Sequence, residues 1–202
     1  MPNSRKLLLI SCMISIILVS NILVQYPVMI WGLENLLTWA AFTYPVAFFI
    51  TDITNRIYGV ITARKIVFWG FFTAVILSFY FATPRIAIAS GSAFLISQLM
   101  DIQIFTKLSN YQWWKAPLAS SSLGSIIDTL LFFTIAFSLT FSFMGYEDSF
   151  ATESIIILSG SLEVPRWLMW AFGDFAVKLL VAFILLLPFR LIYFTYQNKS
   201  KA

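Results

Sequence analysis

Six runs of apolar residues, 7–30, 38–57, 66–82, 86–105, 117–144 and 167–189, follow one another along the chain. Each is close to the roughly 20 residues that a helix needs to cross a hydrocarbon core. Backbone polar groups inside a bilayer must be satisfied within the segment, so helices are the expected element throughout. Only 11% of the residues are charged, against 60% hydrophobic. A soluble domain carries about 25% charged residues, so this chain has too little polar surface to coat a globule. The expectation is an all-α polytopic membrane protein of six transmembrane helices, with residues 1–202 forming a single transmembrane domain. Arg5 and Lys6 precede the first run as they would a signal peptide. Its apolar part exceeds the roughly 7–15 residues of a signal core, however, and no small-residue cleavage pattern follows, so it is expected to stay on as a helix.

Orientation follows from Lys and Arg. With the N-terminus inside, the cytoplasmic segments hold Arg5, Lys6, Arg56, Arg64, Lys65, Lys107, Lys115, Arg190, Lys199 and Lys201, ten in all, against Arg85 and Arg166 outside. Glu34, Glu147, Asp148, Glu153 and Glu163 all fall outside. This is a positive-inside pattern with both termini cytoplasmic. Trp31, Trp39, Trp69, Trp113, Trp114, Trp167 and Trp170 mostly lie near run ends, as an aromatic belt requires. The one long connection, 145–165, is acidic with an apolar middle and is expected to lie on the outer surface or to re-enter.

Several chemistries drop out early. Histidine is absent and Cys12 is the only cysteine, which excludes a disulfide framework, a zinc site of the usual ligands and any Ser-His or Cys-His nucleophile. Gly173-Asp174 lacks the earlier glycine of an intramembrane aspartyl protease, position 171 being Ala171, and Gly91-Ser92 has no histidine to form a dyad. No phosphate-cradling loop is present. The basic residues form no stripe that would suit a nucleic acid. No catalytic residues, metal or cofactor are expected.

The informative positions are the ionisable ones inside the runs, where each charge costs roughly 2.5–3.5 kcal/mol on insertion scales. They are Asp52 and Arg56 in the second run, Asp101 in the fourth, Asp128 in the fifth and Asp174 with Lys178 in the sixth; Arg85 stands at the outer mouth of the fourth. With Arg85 counted, the carboxylates still outnumber the cations by one, so either another cation pairs there or one carboxyl group holds a proton. At about 1.5 Å of rise per residue, Asp128 and Lys178 lie roughly 16 Å into their runs, near mid-depth. Asp174 and Lys178 are spaced i,i+4 in the acid-first order, as are Asp52 and Arg56, and each pair shares a helix face. Gln98 and Asp101 share a face with Phe94 one turn before, and Asn21 with Gln25 forms an amide pair. The plain alternatives are structural: Asn21 and Gln25 as interhelical glue, Asp52–Arg56 and Asp128–Lys178 as ion pairs, and the seam Ser120, Gly124, Asp128 as helix packing. Carboxylates, amides and aromatics converging at mid-depth suit a flat, hydrogen-bonding ligand better than a bare ion.

Seven stretches carry a resemblance: SNILVQ (20–25), TDITNRIYG (51–59), RIAIAS (85–90), QLMDIQIF (98–105), WWKAPLAS (113–120), DTLLFFTIAF (128–137) and GDFAVK (173–178). In this order and on five of the six runs, they resemble the queuosine precursor transporters, a branch of the vitamin uptake transporter group. The resemblance implies a six-helix inner-membrane protein, similar in architecture to the substrate-binding components of energy-coupling-factor importers. It implies import of 7-deazaguanine bases such as 7-cyano-7-deazaguanine. A carboxylate accepts the ring N–H and exocyclic amine of such a base, a donor meets its exocyclic oxygen and aromatic rings stack on its face. Asp52, Asp101, Asp128 and Asp174 are the candidate acceptors; Asn21, Gln25, Gln98, Arg56 and Lys178 are the candidate donors, with Arg85 at the mouth. Asp174 with Lys178 is also similar to a pair in the last helix of biotin-uptake proteins, at a different spacing. Components that dock on a shared energising subunit often carry Ala-xxx-Ala in the first helix; here Ser11 and Ser15 stand nearest to it. This favours a solitary carrier over a component with an ATPase partner, the alternative being such a component for another vitamin-like heterocycle.

Overall fold

The computed structural model describes residues 3–30, 32–145, 148–157 and 162–201. Trp31 and Glu147, both used for the topology above, lie outside them. In chain order the elements are α1 (Asn3–Leu23), α2 (Tyr44–Tyr58), α3 (Val60–Phe81), α4 (Pro84–Leu108), α5 (Lys115–Phe137), the single-turn α6 (Ser149–Thr152), β1 (Ser154–Ile157), β2 (Leu162–Pro165) and α7 (Arg166–Lys201). Four helices, α3, α4, α5 and α7, are long and apolar enough to cross a bilayer, and α1 adds the shorter apolar stretch Leu7–Leu23. The chain is an all-α membrane protein, with one short antiparallel strand pair among the described residues.

Three runs are shorter as helices than as hydrophobic sequence. α1 stops at Leu23, because Pro27 disfavours helix in the residue before it and lacks the N–H to continue one. Pro27 instead bridges Thr38, and Val28 N–H donates to the Leu37 carbonyl at 2.9 Å. The second run opens as a 3-10 turn, Trp39–Phe42, and only then becomes the 15-residue α2, with Pro45 in its first turn where the missing N–H costs nothing. The fifth run leaves the helix at Phe137 and continues as a 3-10 turn, Leu139–Met144. The connection 145–165 contains α6 and an antiparallel pair in which Ile155 faces Val164, with Ile156 exposed. Its β-branched residues favour the strand over a surface helix.

α2 is the central pillar, packing against α1, α3, α4, α5 and α7. It meets α3 through Gly59 alone, at φ 80°, a left-handed conformation that only glycine adopts cheaply. α4 and α5 are antiparallel neighbours, and Arg85 at the start of α4 donates to the Ile135 carbonyl at 3.0 Å and the Ser138 carbonyl at 2.5 Å. It thereby satisfies carbonyls that the end of α5 leaves open. At the same end the backbone at 33–36 lies directly on α7. A Cβ on Gly173 would stand 1.9 Å from the Leu36 carbonyl oxygen, and Trp170 Nε1 donates to the Glu34 carbonyl at 2.6 Å. Glycine at 173 is what lets this loop seat beside Asp174.

Candidate functional site

The interior of the bundle holds a layer of polar side chains among apolar helices. Lys178 is 1% exposed. Its Nζ lies 2.8 Å from Asp128 Oδ2 on α5 and 2.5 Å from Asp174 Oδ2 on its own helix. Thr129 completes the cluster: its hydroxyl donates to Asp174 Oδ2 at 2.7 Å and receives Lys178 Nζ at 3.1 Å. Ser97 donates to Asp128 Oδ1 at 3.4 Å, and the Tyr44 ring faces the ammonium at 5.2 Å. The i,i+4 spacing puts Asp174 and Lys178 on one face as expected, and the Asp128–Lys178 ion pair, the plain structural alternative, forms as well. Two carboxylates on one buried lysine leave a formal negative charge.

One level toward the Lys107 and Arg190 end, α2 and α4 form two polar rungs. Thr51 donates to Gln98 Oε1, and the adjacent Asp52 meets Asp101. Asp52 accepts from Ser120 at 3.2 Å and Ser121 at 3.1 Å, both on α5. Gly124, one turn on, admits the Phe48 ring. The small-residue seam of α5 is therefore both a packing surface for α2 and the donor side of Asp52. Asp101 is fully buried with Asp52 and Ser120 as its polar neighbours. Neither of its oxygens, nor Gln98 Nε2, has a hydrogen-bond partner of normal geometry among the described residues. Among those residues no cation pairs with Asp52 or Asp101. Such groups are costly in a low-dielectric interior, and an orphaned one calls for an explanation. Asp52, Ser121, Ser125 and Lys178 line a narrow cleft between α2, α5 and α7, with Pro45, Phe48 and Leu185 as part of its apolar walls. Its open centre measures about 10 Å³, room for roughly one water.

Six of the ten expected residues thus converge: Asp52, Gln98, Asp101, Asp128, Asp174 and Lys178. Asn21 is adjacent and fully engaged. Its amide donates to Ser78, and its oxygen accepts from Ser90 and from the Tyr44 hydroxyl at 2.9 Å, tying α1, α2, α3 and α4 together. The other three stand apart. Arg56 forms no ion pair with Asp52 despite their spacing; it donates to the Ser109 carbonyl at 2.9 Å beyond the end of α4 and stacks on Tyr193 at 4.6 Å. Arg85 holds the end of α5. Gln25 lies beyond α1, exposed, its amide 3.4 Å from the Asn21 carbonyl. Tyr44, Thr51 and Thr129 join the site without having been expected. Hydroxyls are ordinary in membrane helices, and only their adjacency to Asp52 and Asp128 in the sequence marked two of them.

Apolar helices enclosing ionisable and amide side chains, some without a protein partner of normal geometry among the described residues, define a class: a multi-pass α-helical membrane protein built as a small-molecule transporter. The model of the family described as "Putative vitamin uptake transporter" matches residues 38–83 and 78–193, and the chain belongs to that family. It is 33% identical over 190 residues to the queuosine precursor transporter of Escherichia coli (strain K12), covering 84% of this chain and 77% of that one. It is 33% identical over 172 residues to the "Probable queuosine precursor transporter" of Haemophilus influenzae, covering 75% and 66%. A Bacillus subtilis protein of the same description is 27% identical over 146 residues, covering 58% and 63%. No solved structure matches the chain.

Proposed function

We propose that this protein imports a queuosine precursor, 7-cyano-7-deazaguanine or a related 7-deazaguanine base, across the cell inner membrane as a solitary carrier. In this reading α1, α2, α3, α4, α5 and α7 each span the bilayer, and the end carrying Arg56, Lys107 and Arg190 faces the cytoplasm. The observation that carries the proposal is the pair of rungs between α2 and α4. Gln98 offers an amide donor, and Asp101, on the same face one turn later, two oxygens, none of them with a protein partner of normal hydrogen-bond geometry among the described residues. A deazaguanine edge presents the complement, an exocyclic oxygen beside a ring N–H and an amine. Asp52 and the Lys178 cluster extend the same surface across α5 and α7. The cleft is closed around these groups, so a bicyclic base is admitted only when α2 parts from α5 and α7. Ser11 and Ser15, where a docking face would carry alanines, are exposed on α1 with hydroxyls instead, which supports action without an energising subunit.

Cells without their own precursor synthesis test the proposal. Expressing this chain should restore queuosine-modified tRNA when the free base is supplied, and no rescue refutes it. Uptake into vesicles containing only this protein, with and without a proton gradient, then separates facilitated from proton-driven transport.

A further inference from the structure

A second cavity, of about 250 Å³, lies at the opposite end from Arg56 and outside the buried cluster. Its walls come from five places in the chain: Gln25 after α1, Ile86 on α4, Phe137 at the end of α5, Asp148 and Phe150 at α6, and Trp170 on α7.

The aromatic wall is fixed. Trp170 is held by its bond to the Glu34 carbonyl. The Phe137 and Phe150 rings stand 5.7 and 5.9 Å from it. Phe150 is pinned in turn by Arg166, which donates to its carbonyl at 2.6 Å, covers its ring at 3.7 Å and pairs with Glu153 at 2.9 Å. The polar edge is less committed. Asp148 uses Oδ1 to cap α6, accepting from Phe150 N–H at 3.0 Å and Ala151 N–H at 3.2 Å. Gln25 makes one contact at the limit of hydrogen-bond distance. An aromatic wall with one carboxylate and one weakly bonded amide suits a planar heterocycle. A metal ion would need more oxygens, and a lipid chain would gain nothing from Asp148.

A chain of contacts links the cavity to the interior site. Asn21 stands one turn before Gln25 and is bonded to Tyr44, whose ring faces Lys178. Tyr44 and Phe132, with ring centroids 6.4 Å apart, stand in the core between the two. We infer that this cavity is an outer loading site. A planar nitrogen heterocycle packs against Phe150 beside the mutually tilted Phe137 and Trp170 rings, and its hydrogen-bonding edge is read by Gln25 and Asp148. It then passes Tyr44 to the Lys178 cluster. The inference rests on the reading of the chain as an importer of a deazaguanine base.

The test is the concentration dependence of initial uptake of 7-cyano-7-deazaguanine, with equilibrium dialysis of the same base against purified protein in nanodiscs. Asp148→Asn keeps the α6 cap, since asparagine caps as well as aspartate, and Gln25→Ala alters an exposed side chain. Each is expected to raise KM and the dissociation constant about tenfold while kcat stays within about twofold, because the interior site is intact. Unchanged KM and affinity in both variants, beside a normally transporting wild type, overturn the loading site alone. A wild type that neither binds nor imports the base overturns the site together with the functional reading beneath it.

Discussion

Removing Lys178 separates a structural role of the buried ion cluster from a transport role. Its ammonium is the sole cation within ion-pair distance of Asp128 and Asp174 among the described residues, at 2.8 and 2.5 Å. Lys178→Met leaves two carboxylates buried without a counter-charge, and breaking a buried pair in this way costs about 3–5 kcal/mol. For a chain of this size that is a fall of order 10 °C in the unfolding midpoint. Adding Asp128→Asn and Asp174→Asn to Lys178→Met removes every formal charge while keeping the side-chain shapes. Thr129 can still donate to the amide oxygen at 174. Replacing a buried ionic group by neutral groups of similar volume is often neutral or stabilising, so the triple variant should regain a midpoint near wild type. Its uptake should stay absent. Thermal unfolding in nanodiscs and restoration of queuosine-modified tRNA read the two quantities separately. A triple variant that recovers both stability and uptake would refute the reasoning, because the cluster would then serve the fold alone.

The remaining predictions need the same two assays. Asp52→Asn, Asp128→Asn and Asp174→Asn should each abolish uptake while the protein still inserts into the membrane; normal uptake by all three would remove these residues from the site. Gly173→Ala drives a methyl to 1.9 Å from the Leu36 carbonyl oxygen, a backbone atom that cannot rotate away, so a stability loss of at least about 1–3 kcal/mol is expected in thermal unfolding. Gly59→Ala meets no neighbour but must hold φ 80° with ψ 168°, at about 1–3 kcal/mol. Arg56→Lys keeps the charge but loses the planar stack on Tyr193 and the directed bond to Ser109. It should lower the midpoint and leave KM for the base unchanged.

Hydrophobic run length and the spacing of charges carry much of this fold, and their failures are physical ones. The all-helical class and the convergence of Asp52, Gln98, Asp101, Asp128, Asp174 and Lys178 were legible, because an ion or amide at mid-depth has few places to go except inward. Asp174 with Lys178 was legible from spacing alone. The same spacing misled for Asp52 and Arg56: a shared face permits contact, but Ser120 and Ser121 on α5 offered Asp52 donors, and aromatic faces with an open carbonyl offered Arg56 a better seat. Hydropathy also overran the true helix ends at Leu23, Tyr44 and Phe137. Apolar residues are equally at home in 3-10 turns and extended backbone packed under a bundle. The outer cavity was illegible, since Gln25, Asp148 and Trp170 come together only through the fold of the loops.

Gly59 gives the central helix a pivot at one end. Before Tyr44 the backbone at 33–36 is seated on α7 by the Trp170 bond to Glu34; beyond Tyr58 a single residue ties α2 to α3. Swinging α2 by about 10° about that residue moves Asp52 roughly 2 Å and Tyr44 roughly 4 Å, from lever arms of about 10 and 22 Å at 1.5 Å per residue. Such a swing would open the cleft like a hinged book, widest at Tyr44 and shut at its spine.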